Sequence, residues 1–132
     1  MKFYFSILVI FVSALSFAAK KAVPAADRDY LFALDAADHF LEAWETRDYE
    51  AGVVMLTDAA KQNISEMQLG EFFAAENQGT RAFEVAHGKR LQAGKYEFPV
   101  ALFEDKGNAA PRYSRIVVIR EGKNEWVIDR LP

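Results

Sequence analysis

Between Asp27 and Arg47 apolar side chains recur at three- and four-residue steps: Ala33, Ala37, Phe40, Leu41 and Trp44. Asp35, Asp38, Glu42 and Glu45 fall off that stripe. The spacing predicts an amphipathic helix, with Asp27 or Asp29 placed to cap its start. A shorter helix fits Tyr49 to Leu56 behind Asp48, although Gly52 weakens it. Ser65-Glu66-Met67-Gln68 is a capping box, and the helix it opens carries Met67, Leu69, Phe72 and Phe73. Gly79 is placed to end that helix as a left-handed cap.

After Gly79 the period falls to two. Phe83, Val85 and His87 alternate with Glu84 and Ala86, and Tyr96, Phe98, Val100 and Leu102 alternate again. Tyr113–Arg120 and Glu125–Leu131 follow. Gly88, Gly94, Lys106-Gly107-Asn108 and Glu121-Gly122-Lys123-Asn124 punctuate these runs like hairpin turns, which predicts an antiparallel meander. Pro99 points to an edge position or a bulge. Helices first and strands second define an α+β domain: N-terminal helices packed on one face of an antiparallel sheet of about four strands.

Strict alternation puts Phe83, Val85, His87, Phe98, Val100, Leu102, Tyr113, Arg115, Val117, Ile119, Trp126, Ile128 and Arg130 on one face. As the helix-facing side it carries no carboxylate, and Asp129 falls opposite. Yet Val100–Phe103, Ile116–Ile119 and Trp126–Ile128 are continuously apolar, whereas a half-exposed strand alternates. Either a second chain covers the outer face, most economically a copy of the same one, or a strongly curved sheet wraps its own core. The first reading makes Phe103, Ile116, Val118 and Val127 the interface. On it, Val118→Asp splits a dimer and leaves a folded monomer.

Residues 1–18, MKFYFSILVIFVSALSFA, do not belong to the fold. A single Lys2, an apolar run from Phe3 to Leu15 and Ser16-Phe17-Ala18 form a secretory signal with a cut expected after Ala18. The run is short for a membrane span. Residues 19–26, with Pro24, read as a flexible lead-in, and 27–132 as one domain. The short basic region points to a bacterial periplasm or the medium. The chain has no cysteine, so the domain holds together without disulfides and has no thiolate chemistry.

The 132-residue chain has 16 basic and 19 acidic groups, which argues against general nucleic-acid binding. The charge is uneven. Residues 19–79 hold 5 basic and 12 acidic groups, residues 80–132 hold 10 and 7. Such a split is ordinarily how solvated faces fall.

Three stretches stand together: Ala37-Asp38-His39-Phe40-Leu41-Glu42-Ala43-Trp44, Arg47-Asp48-Tyr49-Glu50-Ala51, and Asn124-Glu125-Trp126-Val127-Ile128 behind a Gly-Lys turn. Their order and spacing over residues 30–132 resemble the nuclear transport factor 2-like superfamily, also called the cystatin-like or ketosteroid isomerase-like fold. The resemblance is to its small secreted bacterial members without an assigned activity. Many relatives carry Gly where Arg47 stands. The resemblance implies a cone, in which a curved sheet wraps the first helix, leaves a pocket at the open end and dimerises through its outer face. The superfamily spans isomerases, dehydratases, polyketide cyclases and non-catalytic binding domains. An isomerase of this fold would need an inward Asp base and a tyrosine donor. Tyr30 and Tyr113 offer the donor, and no strand Asp matches.

The remaining candidates each have a plain alternative. His87 is a general base or pocket hydrogen-bonder, or a structurally satisfied residue near a strand end. Trp44 and Trp126 wall a pocket or simply anchor the core. Arg115 meets an anion at the cone mouth or pairs with an acid of the first helix. Asp35, Asp38 and His39 make too thin a metal set. The expected binding pocket is therefore Tyr30, Trp44, His87, Tyr113, Arg115 and Trp126, with no catalytic residue, metal or cofactor. The expected function is an exported, non-enzymatic binding or accessory domain, a homodimer that takes a small apolar ligand or a periplasmic protein and leaves the membrane once the signal is cut. The alternative is a small lyase or isomerase using His87 or Tyr30. A third reading is an inhibitor presenting the loop Asp105–Pro111.

Overall fold

A computed structural model describes residues 25–74, 79–105 and 110–132. The expected signal segment, most of the lead-in and the centre of the Asp105–Pro111 loop lie outside those residues. The elements run α1 (Ala25–Glu45), α2 (Tyr49–Val53), α3 (Asp58–Gln62), α4 (Glu66–Ala74), β1 (Arg81–Val85), β2 (Lys89–Gln92), β3 (Lys95–Glu104), β4 (Arg112–Glu121) and β5 (Glu125–Arg130). The class is α+β: helices lie against one face of a curled antiparallel sheet.

The helix starts follow local chemistry. Asp48 caps α2 by accepting the Ala51 N–H. Ser65 and Gln68 exchange both bonds of the expected capping box, each at 3.1 Å. Helix α3 was not anticipated. Thr57 caps it, taking the Ala60 N–H on its hydroxyl at 2.9 Å. Gly79, the expected cap of α4, follows residues 75–78, which lie outside the described residues. It is small because a Cβ there would collide with the Asp105 carbonyl.

The sheet is not a simple meander. Its order is β1-β3-β4-β5, and β2 also pairs with β3, so β1 and β2 share one edge of that strand. Pro99 therefore sits in a central strand rather than at an edge. Its carbonyl accepts the Ala86 N–H at 2.8 Å. A strand residue points its N–H and C=O the same way. The donor that proline lacks thus faces the interruption between β1 and β2, where it costs little. On the far edge, Thr57 N donates to Ile128 O and Ile128 N to Met55 O, so the α2–α3 junction covers β5.

The β3–β4 register sets Phe98 opposite Ile116 and Tyr96 opposite Val118. Paired residues share a face, so Ile116 and Val118 point at the helices, and both are 0% exposed. They are core residues, not interface residues. Tyr113, Arg115, Val117 and Ile119 lie on the outer face, one residue out of step with the alternation carried over from β3. Phe103 and Val127 do lie outside, paired with Ala82 and Ile119. A bulge at Val117/Val118 shifts β5 as well, pairing Arg130 with outer Val117. Asp129 is held from inside by the Thr57 hydroxyl at 2.9 Å.

The core runs beneath α1: Ala33, Ala37, Phe40, Leu41 and Trp44 meet Phe98, Leu102, Ile116, Val118 and Ile128. Burying a large apolar side chain contributes about 1.5–3 kcal/mol. On the outer face Ala101 and Val117 are only 8% and 5% exposed in a single copy. The continuous apolar runs thus do not by themselves require a second chain.

Candidate functional site

The described residues enclose a cleft of about 870 Å³. It opens at the edge of the sheet: β5 pairs with Val117–Glu121, so among the described residues β4 from Arg112 to Ile116 has no strand beyond it. Trp44, Ile64, Phe72 and Leu131 wall the inner part, with Asn63, Gln68, Glu71, Glu104, Arg112 and Asp129 as its polar groups. From there it passes round the C-terminal residues to Leu91, Lys95 and Val117. Contrary to the alternation, carboxylates do reach this side: Glu104 is the cross-strand partner of inward Arg81, and the bulge brings in Asp129.

The six expected pocket residues do not converge. Trp44 is fully buried in the core and borders the cleft. Tyr30 and His87 meet elsewhere. The Tyr30 hydroxyl lies 3.1 Å from His87 Nδ1 and accepts the Gly88 N–H at 3.1 Å. The ring packs on Tyr96 and Phe98. Gly88 allows that approach, since a Cβ there would enter the Phe98 ring. Tyr30 stands fourteen residues before Trp44 on α1, about 21 Å along the helix axis. Neither it nor His87 lines the cleft.

Trp126 packs on Tyr96, with the Arg120 guanidinium 5.9 Å above its ring. Tyr113 and Arg115 leave the cone altogether. Tyr113 is 77% exposed on the outer face. Arg115 donates to Glu97 at 3.0 Å on the same face, pairing with a strand acid rather than one from α1. They border a shallow depression floored by Ala86, Pro99 and Ala101, with Glu84 across from them.

The sequence reading missed the corner where α1 and α4 end against β1. Arg47 closes α1 with φ 58°, a left-handed conformation rare outside glycine. Asp48 N reaches Ala43 O at 2.8 Å and Arg47 N reaches Trp44 O at 3.2 Å, a Schellman closure with arginine at the glycine position. The Arg47 side chain donates to Gly79 O at 2.5 Å. Beside it Arg81, 4% exposed, donates from Nη1 to Trp44 O at 2.8 Å and to Phe73 O at 2.9 Å. One guanidinium thus satisfies the carbonyl ends of two helices. It also stacks 4.8 Å over the Trp44 ring. Burial, and then the like charge of Arg47, holds the Arg81 pKa below its usual value. The one signal for this corner was Arg47 standing where the junction of the superfamily that the sequence resembles carries glycine.

Of the metal candidates, His39 Nδ1 is taken by the Asp35 carbonyl at 2.8 Å, and no metal-holding group of three exists among the described residues. Asp38, facing them, has a raised pKa, first through partial burial and then through Glu42 and Asp35. A raised folded pKa means that the folded state holds this proton more tightly. The contribution is present in acid and lost as pH rises through that pKa. Asp38→Asn is expected to stabilise the domain at neutral pH by less than about 1 kcal/mol and to lose that advantage in acid. Thermal melts across pH check it. A gain that grows in acid would contradict the sign.

No protein-family model matches the chain, and no curated protein matches it in sequence. Solved structures do. A putative calcium/calmodulin-dependent protein kinase type II association domain from Thiobacillus denitrificans superposes with TM-score 0.56 at 20% identity, covering 70% of this chain and 86% of that one. A ketosteroid isomerase-like protein from Erwinia carotovora atroseptica superposes with TM-score 0.55 at 14% identity, covering 79% and 93%. The chain therefore has the nuclear transport factor 2-like fold. No helix among the described residues is long and apolar enough to cross a membrane.

Proposed function

We propose that this protein is an exported, non-enzymatic binding domain that takes a small, largely apolar molecule in its cleft and joins a second copy through its outer sheet face. The observation that carries the reading is the cleft itself: an opening of about 870 Å³ walled by Trp44, Ile64, Phe72 and Leu131 that the sequence's acid–base candidates do not enter. A lyase or isomerase is the weaker reading. The Tyr30 hydroxyl is shared between His87 Nδ1 and the Gly88 N–H, and both residues lie outside the cleft. The carboxylates in the cleft face no tyrosine or histidine among its described lining residues.

Self-association is supported by Tyr113, Phe103, Ile119 and Val127 sharing the outer face, and by the association-domain description of one structural neighbour. Export is supported by the leader at residues 1–18. Native mass spectrometry on protein purified from the periplasm tests all three parts. The expected spectrum is a dimer of chains beginning at Ala19, with part of the population carrying a small extra mass. An uncleaved chain, a monomer at working concentration, or no adduct under any ionisation condition removes the corresponding part. Tyr113→Glu is expected to weaken the dimer by at least about tenfold, because an exposed aromatic at an interface centre is a typical anchor. Its melting temperature as a monomer should hold, since Tyr113 supports little of the core. Light scattering after gel filtration reads the mass, and an unchanged dimer removes this face.

A further inference from the structure

The open edge of β4 offers backbone groups as well as side chains. Pro99 turns its carbonyl to Ala86, away from β4. Its cross-strand partner Arg115 therefore belongs to a pair without mutual hydrogen bonds, and such a residue points its own N–H and C=O away from the neighbouring strand. Tyr113, two residues earlier, does the same. Two N–H and two C=O groups thus leave the far side of β4, and no backbone partner meets them among the described residues, where β5 pairs from Val117 onward. An unpaired row of this kind is a template for one more strand.

Space for that strand is open. After Arg130 the chain leaves the edge and packs Leu131 against the core. The cleft is lined from inside by Ile64 and Phe72 and from the outer face by Glu97 and Val117, so it crosses the level of the sheet where β5 stops. On the outer face the same edge borders the depression that includes Tyr113, Ser114 and Arg115. A strand laid here would send alternate side chains into the two hollows. Ile64, Phe72 and Leu131, all half-buried, offer the inward ones an apolar seat.

Charge selects the occupant. Arg112 and Arg115 are exposed on the edge itself, and Arg130 ends the strand that stops short of it. None of the cleft's carboxylates sits on this edge: Glu71 belongs to α4, Glu97 and Glu104 to β3, and Asp129 to β5, where Thr57 holds it inward. A second copy pairing through its own β4 would crowd the Arg112 and Arg115 of both chains onto one ribbon. The chain's own lead-in carries Lys20 and Lys21 and is no better matched. From this geometry we infer that β4 from Arg112 to Ile116 binds an extended acidic segment of another protein as an added antiparallel strand, with acids outward near Arg115 and Arg130 and apolar side chains inward over Ile64, Phe72 and Leu131. The inference goes beyond the small ligand of the cleft and does not depend on it.

The test titrates the capped peptide Glu-Val-Glu-Val-Glu-Val-Glu into ¹⁵N-labelled protein. The Tyr113 and Arg115 amide signals are expected to shift and to exchange more slowly with solvent. The glutamates share the outer face with Tyr113 and Arg115, so their N–H groups make the new bonds. Methylating the glutamate nitrogens is expected to weaken binding by at least about tenfold, and methylating the valine nitrogens by less than about threefold. The lysine counterpart, Lys-Val-Lys-Val-Lys-Val-Lys, should not bind. Tyr113→Pro removes a donor that the sheet's own ladder does not use, so the melt should hold while the peptide is lost. Should that variant fail to fold, the two methylated peptides decide. Equal binding of the methylated peptides, equal binding of the lysine peptide, or Tyr113 and Arg115 signals that stay in place overturns the added strand. Slow exchange at both amides in the protein alone assigns the edge to a second copy and overturns it too.

Discussion

Val118→Asp is expected to prevent folding rather than to split a dimer. Val118 is 0% exposed on the helix-facing side, between Tyr96 and Ile128 on the flanking strands. The substitution forfeits about 1.5–3 kcal/mol of apolar burial. It also buries a carboxyl in the apolar core, which costs several kcal/mol more even if the acid stays protonated. Domains of this size keep only about 5–15 kcal/mol in total. Circular dichroism should therefore show a chain without a cooperative melt. The control is Phe103→Asp, on the outer face and half-buried, which should melt cooperatively with a modest loss. A folded, monomeric Val118→Asp protein would instead place Val118 outside and reverse the register of β4.

That contrast shows why one strand was misread. The helix-facing stripe of α1 was legible because Ala33, Ala37, Phe40, Leu41 and Trp44 stand against charged neighbours, so period and polarity agree. Strand β4 offered Ile116-Val117-Val118-Ile119, four apolar residues with no polar marker to say which pair faces inward. Alternation carried over from β3 then had an even chance of a one-residue slip, which inverts every side chain. Only the pairing of Phe98 with Ile116 decides it, and pairing is a long-range fact. The bulge at Val117/Val118 is hidden for the same reason, and with it the inward turn of Asp129.

The cleft was less legible than the fold. Its apolar wall could be read in part from Trp44 and Phe72, which fall on helical stripes. Its polar groups come from Asn63, Gln68, Glu71, Glu104, Arg112 and Asp129, which lie on five separate segments and share no motif. Arg81 reads in sequence as an ordinary charged residue at the start of a strand. It is buried because two helices happen to end where its guanidinium can meet both carbonyl ends. Polar burial of this kind depends on tertiary geometry, and hydropathy gives no hint of it. The pairing of Tyr30 with His87, by contrast, brought together two residues singled out for chemistry and showed them bonded to each other.

Gly52→Ala carries the second large expected effect, and its sign runs against helix propensity. Gly52 lies within α2, where alanine would be favoured by about 1 kcal/mol on intrinsic grounds. Its Cβ, however, would enter the ring of Phe73, which is 0% exposed. That ring cannot easily step aside. It meets Tyr49, Phe40 and Phe72 edge-on, at centroid distances of 5.8, 5.6 and 5.1 Å. Overpacking of this kind costs about 1–3 kcal/mol, and here it falls on a rigid aromatic cluster at the top of that range. The expected net loss is about 2 kcal/mol, seen by calorimetry as a fall of roughly 10 °C in Tm. Phe73→Leu alone should also destabilise, by leaving part of the cluster empty. The double variant should lose less than the two single losses combined, because the smaller side chain makes room for the new methyl. A Tm that rises in Gly52→Ala would mean that α2 does not lie against Phe73. Strict additivity would mean that the two positions do not touch, which denies the close packing that makes glycine necessary there.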